Sequence, residues 1–186
     1  MTEESSLKKV VSIPIALYES SQGEYFVGQT ELLVFGLGNN AWAGLINPHN
    51  SGVNLHVNVI TVTNLSEVPF TAHIWFNPTL PAKPDCNGDD CINAIVSNKV
   101  SSTNYTLHPL PKPKIELQFV QNYSGFLSGG VNVFNRIVPP TTTIVEEEDG
   151  KFIFPPQKAF AILLESASSQ LLEARIAFGW WEKKRY

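Results

Sequence analysis

The densest group of reactive side chains lies in Pro84-Asp85-Cys86-Asn87-Gly88-Asp89-Asp90-Cys91. Cys86 and Cys91 stand five positions apart around a glycine. They could close a small loop disulfide or remain two free thiols, and the redox compartment decides between these. Two cysteines alone do not make a structural zinc site, which wants four ligands. Asp85, Asn87 and Asp89 repeat the acid-x-Asn-x-acid opening of a calcium loop. The later glycine and bidentate glutamate of that loop are missing and no helices flank it, so a solvated acidic turn is the simpler reading.

The four histidines are His49, His56, His73 and His108. His56 and His73 fall on the polar phase of alternating segments. If those strands pair, the two imidazoles could approach and bind a metal. No His-x-His, no His-Glu-x-x-His and no third ligand at a suitable spacing accompanies them, so surface histidines are the simpler expectation. Gly36-Leu-Gly38 follows a strand segment but leads to Trp42 and Asn47-Pro48, not to a helix whose N-terminus could hold phosphate. Gly125-Phe-Leu-Ser128-Gly129 has the wrong spacing for a nucleophile elbow. No catalytic constellation is recognisable. The expectation is a non-enzymatic protein with no cofactor and no metal.

The aromatic residues carry more information. Trp42, Trp75, Trp180 and Trp181 sit in strand contexts. Adjacent residues of a strand face opposite sides, so Trp180-Trp181 predicts one ring in the core and one outside. Trp75 also lies on the polar phase of its segment. An outward tryptophan can stack on a sugar ring or fill a subunit contact. A strand buried on both faces explains the same pattern equally well.

The elements that must position these residues are strands. Val53, Leu55, Val57 and Val59 alternate with Asn54, His56 and Asn58, and the phase then shifts, which predicts a bulge or burial on both faces. Phe70–Phe76, Ile115–Val120 and Leu172–Trp180 alternate in the same way. Further strands are expected at Val10–Leu17, Glu31–Phe35, Ala41–Ile46, Ile92–Val96, Val131–Val138, Thr142–Val145, Lys151–Phe154 and Ala159–Leu164. Asp149-Gly150 marks a hairpin, and Glu146–Asp149 its solvated tip. Thirteen prolines and twelve glycines leave little room for helix, with Ser166–Glu173 the best candidate at a single turn. The pattern predicts an all-β, antiparallel two-sheet sandwich, jelly-roll-like, of about 8–12 short strands. Residues 10–182 form one domain, with a polar arm over 1–9 and a basic tail over 183–186.

Composition narrows the function classes. A net charge of −4 argues against nucleic acid as a partner, which needs a basic footprint. No apolar run is long enough for a membrane-spanning helix, and the acidic N-terminus does not read as a signal peptide. Cytoplasmic synthesis is therefore expected. Charged residues make up only 16% of the chain, and 15 Asn, 15 Ser and 11 Thr fill the gap. An uncharged sheet face is poorly protected against association.

Two stretches support a resemblance. Ile46-Asn-Pro-His-Asn-Ser-Gly-Val-Asn-Leu-His-Val57 and Pro69-Phe-Thr-Ala-His-Ile-Trp-Phe76 resemble early strands of small structural jelly rolls on phage particles. Together with Phe160-Ala-Ile-Leu-Leu-Glu165 and Ala174-Arg-Ile-Ala-Phe-Gly-Trp-Trp-Glu182, they resemble an uncharacterised protein family of endospore-forming Firmicutes. The matching residues are turns and core strands, so no active site carries over. The resemblance implies a spore-surface, filament or phage-like assembly. The resulting expectation is a self-associating structural protein, a homo-oligomer or polymer assembled on the spore or cell surface. Val10, Val11, Ile13, Trp75 and Trp181 are the candidate contact residues. The alternative is a carbohydrate- or ligand-binding sandwich that uses the outward tryptophans.

Overall fold

In the computed structural model, which describes residues 12–80 and 94–185, four nested strand pairs build the fold. The innermost pair is β5 (Phe70–Phe76) with β9 (Val131–Val138). Around it lie β4 (Val53–Asn64) with β10 (Thr143–Phe154), then β3 (Asn40–Ile46) with β11 (Ala159–Glu165). The outermost pair is β1 (Tyr25–Gln29) with β12 (Leu171–Lys184). Successive pairs alternate between two sheets, so the chain is one long hairpin rolled over a core. Sheet A has the order β10-β4-β12-β1, and sheet B the order β3-β11-β5-β9. This is the order of a jelly roll, and the antiparallel two-sheet sandwich expected from the alternation is the observed fold.

The connection from β5 to β9 adds further strands at the opposite side. β7 (Val100–Ser102) extends sheet A beside β1, while β8 (Glu116–Tyr123) and β6 (Ile95–Val96) extend sheet B beside β3. Short β2 (Leu33–Gly36) pairs with the start of β12, which brings each sheet to six strands.

Alternation places one face of each strand in the core. Leu55, Val57, Ile60 and Val62 of β4 point inward with Ile176, Phe178 and Trp180 of β12. The inward phase jumps from Val57 to Ile60 because Asn58 is a bulge, skipped by both neighbouring strands. That is the phase shift visible in the sequence. Phe76, Phe152, Phe154, Phe160 and Phe178 form a run of tilted and edge-to-face rings at one end.

Several local expectations are corrected. Val10–Leu17 does not read through as a strand, because α1 (Ile15–Ser21) begins after Pro14. Proline suits a helix start, and here apolar spacing without a partner strand does not make a ladder. Ser166–Glu173 is not helical: residues 166–170 are a loop, and Leu171–Glu173 already belong to β12. Thr142–Val145 and Lys151–Phe154 are not two strands of a hairpin but parts of the single strand β10. Asp149 and Gly150 take positive φ in an excursion from it, between Glu147 and Phe152. Lys183 and Lys184, assigned to a basic tail, are the last residues of β12, opposite Asn54 and Val53. β1 and β7 were not anticipated: one is interrupted by Gly28 and the other is mostly serine.

The Asn, Ser and Thr surplus is not confined to the surface. Seven of the ten buried polar residues among those described are of these types. Uncharged side chains can cap buried backbone groups without desolvating a charge. Asn64 at the end of β4 shows the use. Its Nδ2 donates to the carbonyls of Val68 and Pro139, and its Oδ1 accepts from Ser66 N (2.8 Å). Asn64→Ala is expected to leave these groups buried without partners. Urea unfolding should show a loss of about 2–3 kcal/mol, against a near-neutral change at half-buried Asn54, Asn54→Ala.

Candidate functional site

The structure separates the residues that could have formed a metal site. β4 and β5 lie in different sheets, so His56 and His73 sit on opposite outer faces of the sandwich. His73 is held by Glu165 (2.7 Å) and Asn135 (2.9 Å). Among the described residues, no three His, Cys, Asp or Glu side chains converge on a common point. Asp85, Asn87, Asp89, Cys86 and Cys91 lie outside the described residues, as do Val10 and Val11. Ile13 is exposed just before α1.

The tryptophans are corrected more strongly. Trp180 points into the core as expected, but Trp181, predicted to be the outward ring, is only 4% exposed. Its indole lies flat against His56, with ring centroids 5.5 Å apart, and Tyr25 covers another side. The excursion of β10 closes over it at Gly150. His56 Nδ1 donates to the Gly150 carbonyl (3.1 Å), which anchors that flap. Burial lowers the His56 pKa, although the Gly150 carbonyl and Glu19 oppose this. Burial likewise raises the Tyr25 pKa, against the Asn58 amide that donates to its hydroxyl. Trp181 is thus a structural residue covered by its own chain, not a contact for a partner.

Trp75 is half-buried on the outer face of sheet B. It packs on a second apolar cluster built from Trp42, Val120, Tyr123, Leu127 and Leu163. The polar phase of its strand therefore reflects burial on both faces.

Two further clusters fasten the chain. Lys183 Nζ bridges Glu19 (2.6 Å) and Glu24 (2.7 Å) and sits over the Tyr18 ring, so β12 clamps α1. Burial would lower the Lys183 pKa, but the two carboxylates outweigh it and hold it above the usual lysine value. Glu182 accepts from the backbone N–H groups of Lys114 and Ile115 (3.0 Å each) and from the Trp180 indole (3.2 Å).

What stays open is the rim opposite the inserted strands. β9 ends sheet B and β10 ends sheet A. An Arg136–Glu146 ion pair and the Phe134–Phe152 stack hold the two edges side by side. They are protected to different degrees. β10 carries Glu147, Asp149 and Lys151 and leaves its ladder in the excursion, which are the devices that discourage strand addition. Of these β9 has only a single bulge. Its sequence, Val-Asn-Val-Phe-Asn-Arg-Ile-Val, holds one charge, and Arg136 is turned back over Phe134 to Glu146. Val131, Phe134 and Ile137 are exposed, Ile137 to 75%. Among the described residues, no strand pairs with the outer side of β9. Sequence reasoning found β9 as a strand but had no signal for its place at an edge.

Fold and surface define the class: a jelly-roll β-sandwich in which β9 forms a long, weakly charged edge. The chain belongs to a family of unknown function, DUF6143, whose model matches residues 1–186. No curated protein and no solved structure shows significant similarity to it.

Proposed function

We propose that this protein is a non-catalytic structural subunit that associates with copies of itself through the free edge of β9. The observation that carries the reading is an eight-residue edge strand with exposed Val131, Phe134 and Ile137 and its one charge paired with Glu146. An edge strand presents a row of unpaired N–H and C=O groups, and natural proteins block such edges unless a partner uses them. Here β10 on the same rim is lined with charges, while β9 carries one charge and a single bulge. A repeated subunit fits the spore-surface, filament or phage-like assemblies that the sequence resemblance implies. The alternative, a glycan stacked on an outward tryptophan, loses support because Trp75 and Trp181 pack against their own chain.

Sedimentation velocity and electron microscopy over a range of concentrations test this. The wild-type protein should form dimers or larger particles, and Ile137→Lys should sediment as a monomer with an unchanged melting temperature. A wild type that stays monomeric throughout, or an Ile137→Lys variant that assembles normally, overturns the proposal.

A further inference from the structure

The outer face of sheet A carries a trough of about 640 Å3 that plays no part in the rim contact. Its floor is flat and apolar. Gly179 of β12 lies between Val27 of β1 and Val59 of β4, and Ala177 lies between Gln29 and Thr61. Gly179 lets Tyr25 and Val59 close over the strand at this end of the trough, since a Cβ there would fall 2.5 Å from the Tyr25 hydroxyl and 2.7 Å from Val59 Cγ1.

Tyr105 lines one side, 68% exposed. An exposed aromatic ring normally moves freely, yet this one is held. Its hydroxyl is hydrogen-bonded to Ser101 Oγ (2.7 Å). The loop beneath it is fastened three times: Thr103 to Ser20 (2.8 Å), Thr103 N to the Tyr25 carbonyl (3.2 Å), and Asn104 Nδ2 to the Ser21 carbonyl (3.2 Å). The fold thus orders a large ring beside a flat apolar strip without burying it. Such preorganisation strengthens binding, because the ordering cost is already met before a ligand arrives.

The rim selects the ligand class. Gln29, Thr61, Asn98 and Ser101 supply uncharged groups, and the hydroxyls and amides among them both donate and accept. The one cation, Lys99, is paired to Glu31 (2.6 Å) and so offers no free charge for an anion. An acyl chain gains most where it is enclosed, and this trough is open to water. A neutral sugar fits all three features. A pyranose has an apolar C–H face that can lie on an aromatic ring or a flat apolar floor, and hydroxyls that match uncharged partners while staying wet. We infer that the trough beneath Tyr105 is a binding site for a neutral oligosaccharide. This inference is independent of self-association through β9.

The test is isothermal titration of the full chain with three neutral tetrasaccharides: cellotetraose, maltotetraose and the tetramer of N-acetylglucosamine. At least one should bind. Tyr105→Ala should weaken that binding at least about tenfold, and Tyr105→Phe, which keeps the ring, should weaken it less. Both variants should melt as the wild type does, because the side chain is exposed, and Tyr105→Phe, which loses the Ser101 bond that orders the ring, should bind more weakly than the wild type but more tightly than Tyr105→Ala. Failure of all three sugars to bind overturns the inference. So does binding that survives Tyr105→Ala, or a trough that takes oleate and no sugar.

Discussion

Glu182→Ala is expected to destabilise the protein by about 3–5 kcal/mol in denaturant unfolding, one of the two largest effects we predict. The carboxylate is 6% exposed and accepts from three donors, the N–H groups of Lys114 and Ile115 and the Trp180 indole. Alanine leaves all three buried without an acceptor, at about 1–3 kcal/mol each, and the lost burial penalty of the carboxylate offsets part of this. The bonds also tie the inserted segment before β8 to the last strand, so the loss should spread to both sheets.

Glu182→Gln separates the charge from the hydrogen bonds. Burial raises the Glu182 pKa, and the hydrogen bonds from Lys114, Ile115 and Trp180 only partly offset it. The folded protein then binds this proton more tightly than the unfolded chain does. Stability from this group is fully present below the unfolded pKa and declines as pH rises from there through the raised folded value. Glutamine can keep its carbonyl oxygen toward the same donors and has no proton to lose. Glu182→Gln should therefore be much milder than Glu182→Ala and should remove that decline from a stability–pH profile. An alanine variant as stable as the glutamine one would show that the three hydrogen bonds do not hold this end together.

The second large effect is Gly150→Ala, with an expected loss of about 3 kcal/mol. Gly150 has φ of 71°, a region where a side chain is strained. A Cβ there would also overlap the Trp181 indole at Cζ2 and Cη2. Either the flap lifts or the indole leaves its slot between Tyr25 and His56. Both expose Trp181, so its fluorescence should shift to the red along with the fall in stability. In a Trp181→Ala background the same glycine change should cost only the backbone strain, about 1 kcal/mol. Equal costs in both backgrounds would mean that the flap does not rest on the ring.

Alternation by itself determined the fold class. Runs such as Val53–Val59, Phe70–Phe76 and Leu172–Trp180 have a period that only a half-buried strand satisfies, and turn residues between them forced antiparallel returns. It also showed a phase shift near the bulge in β4, with burial on both faces as the other reading, because a bulge shifts the phase of the side chains themselves. It could not say which strands pair. Pairing is a contact between distant segments, and the outward residues of one strand carry no mark of their neighbours. Whether His56 and His73 could meet hung on that pairing, and they lie on opposite faces. Trp181 was read as outward when an excursion of β10, distant in sequence, folds back to cover it. The exposed edge of β9 and the trough beneath Tyr105 are likewise products of strand order and of a loop pinned from another element. The chain's local chemistry decided that it would form strands. Which surfaces those strands would leave open was decided by the tertiary structure, because exposure depends on what the rest of the fold covers.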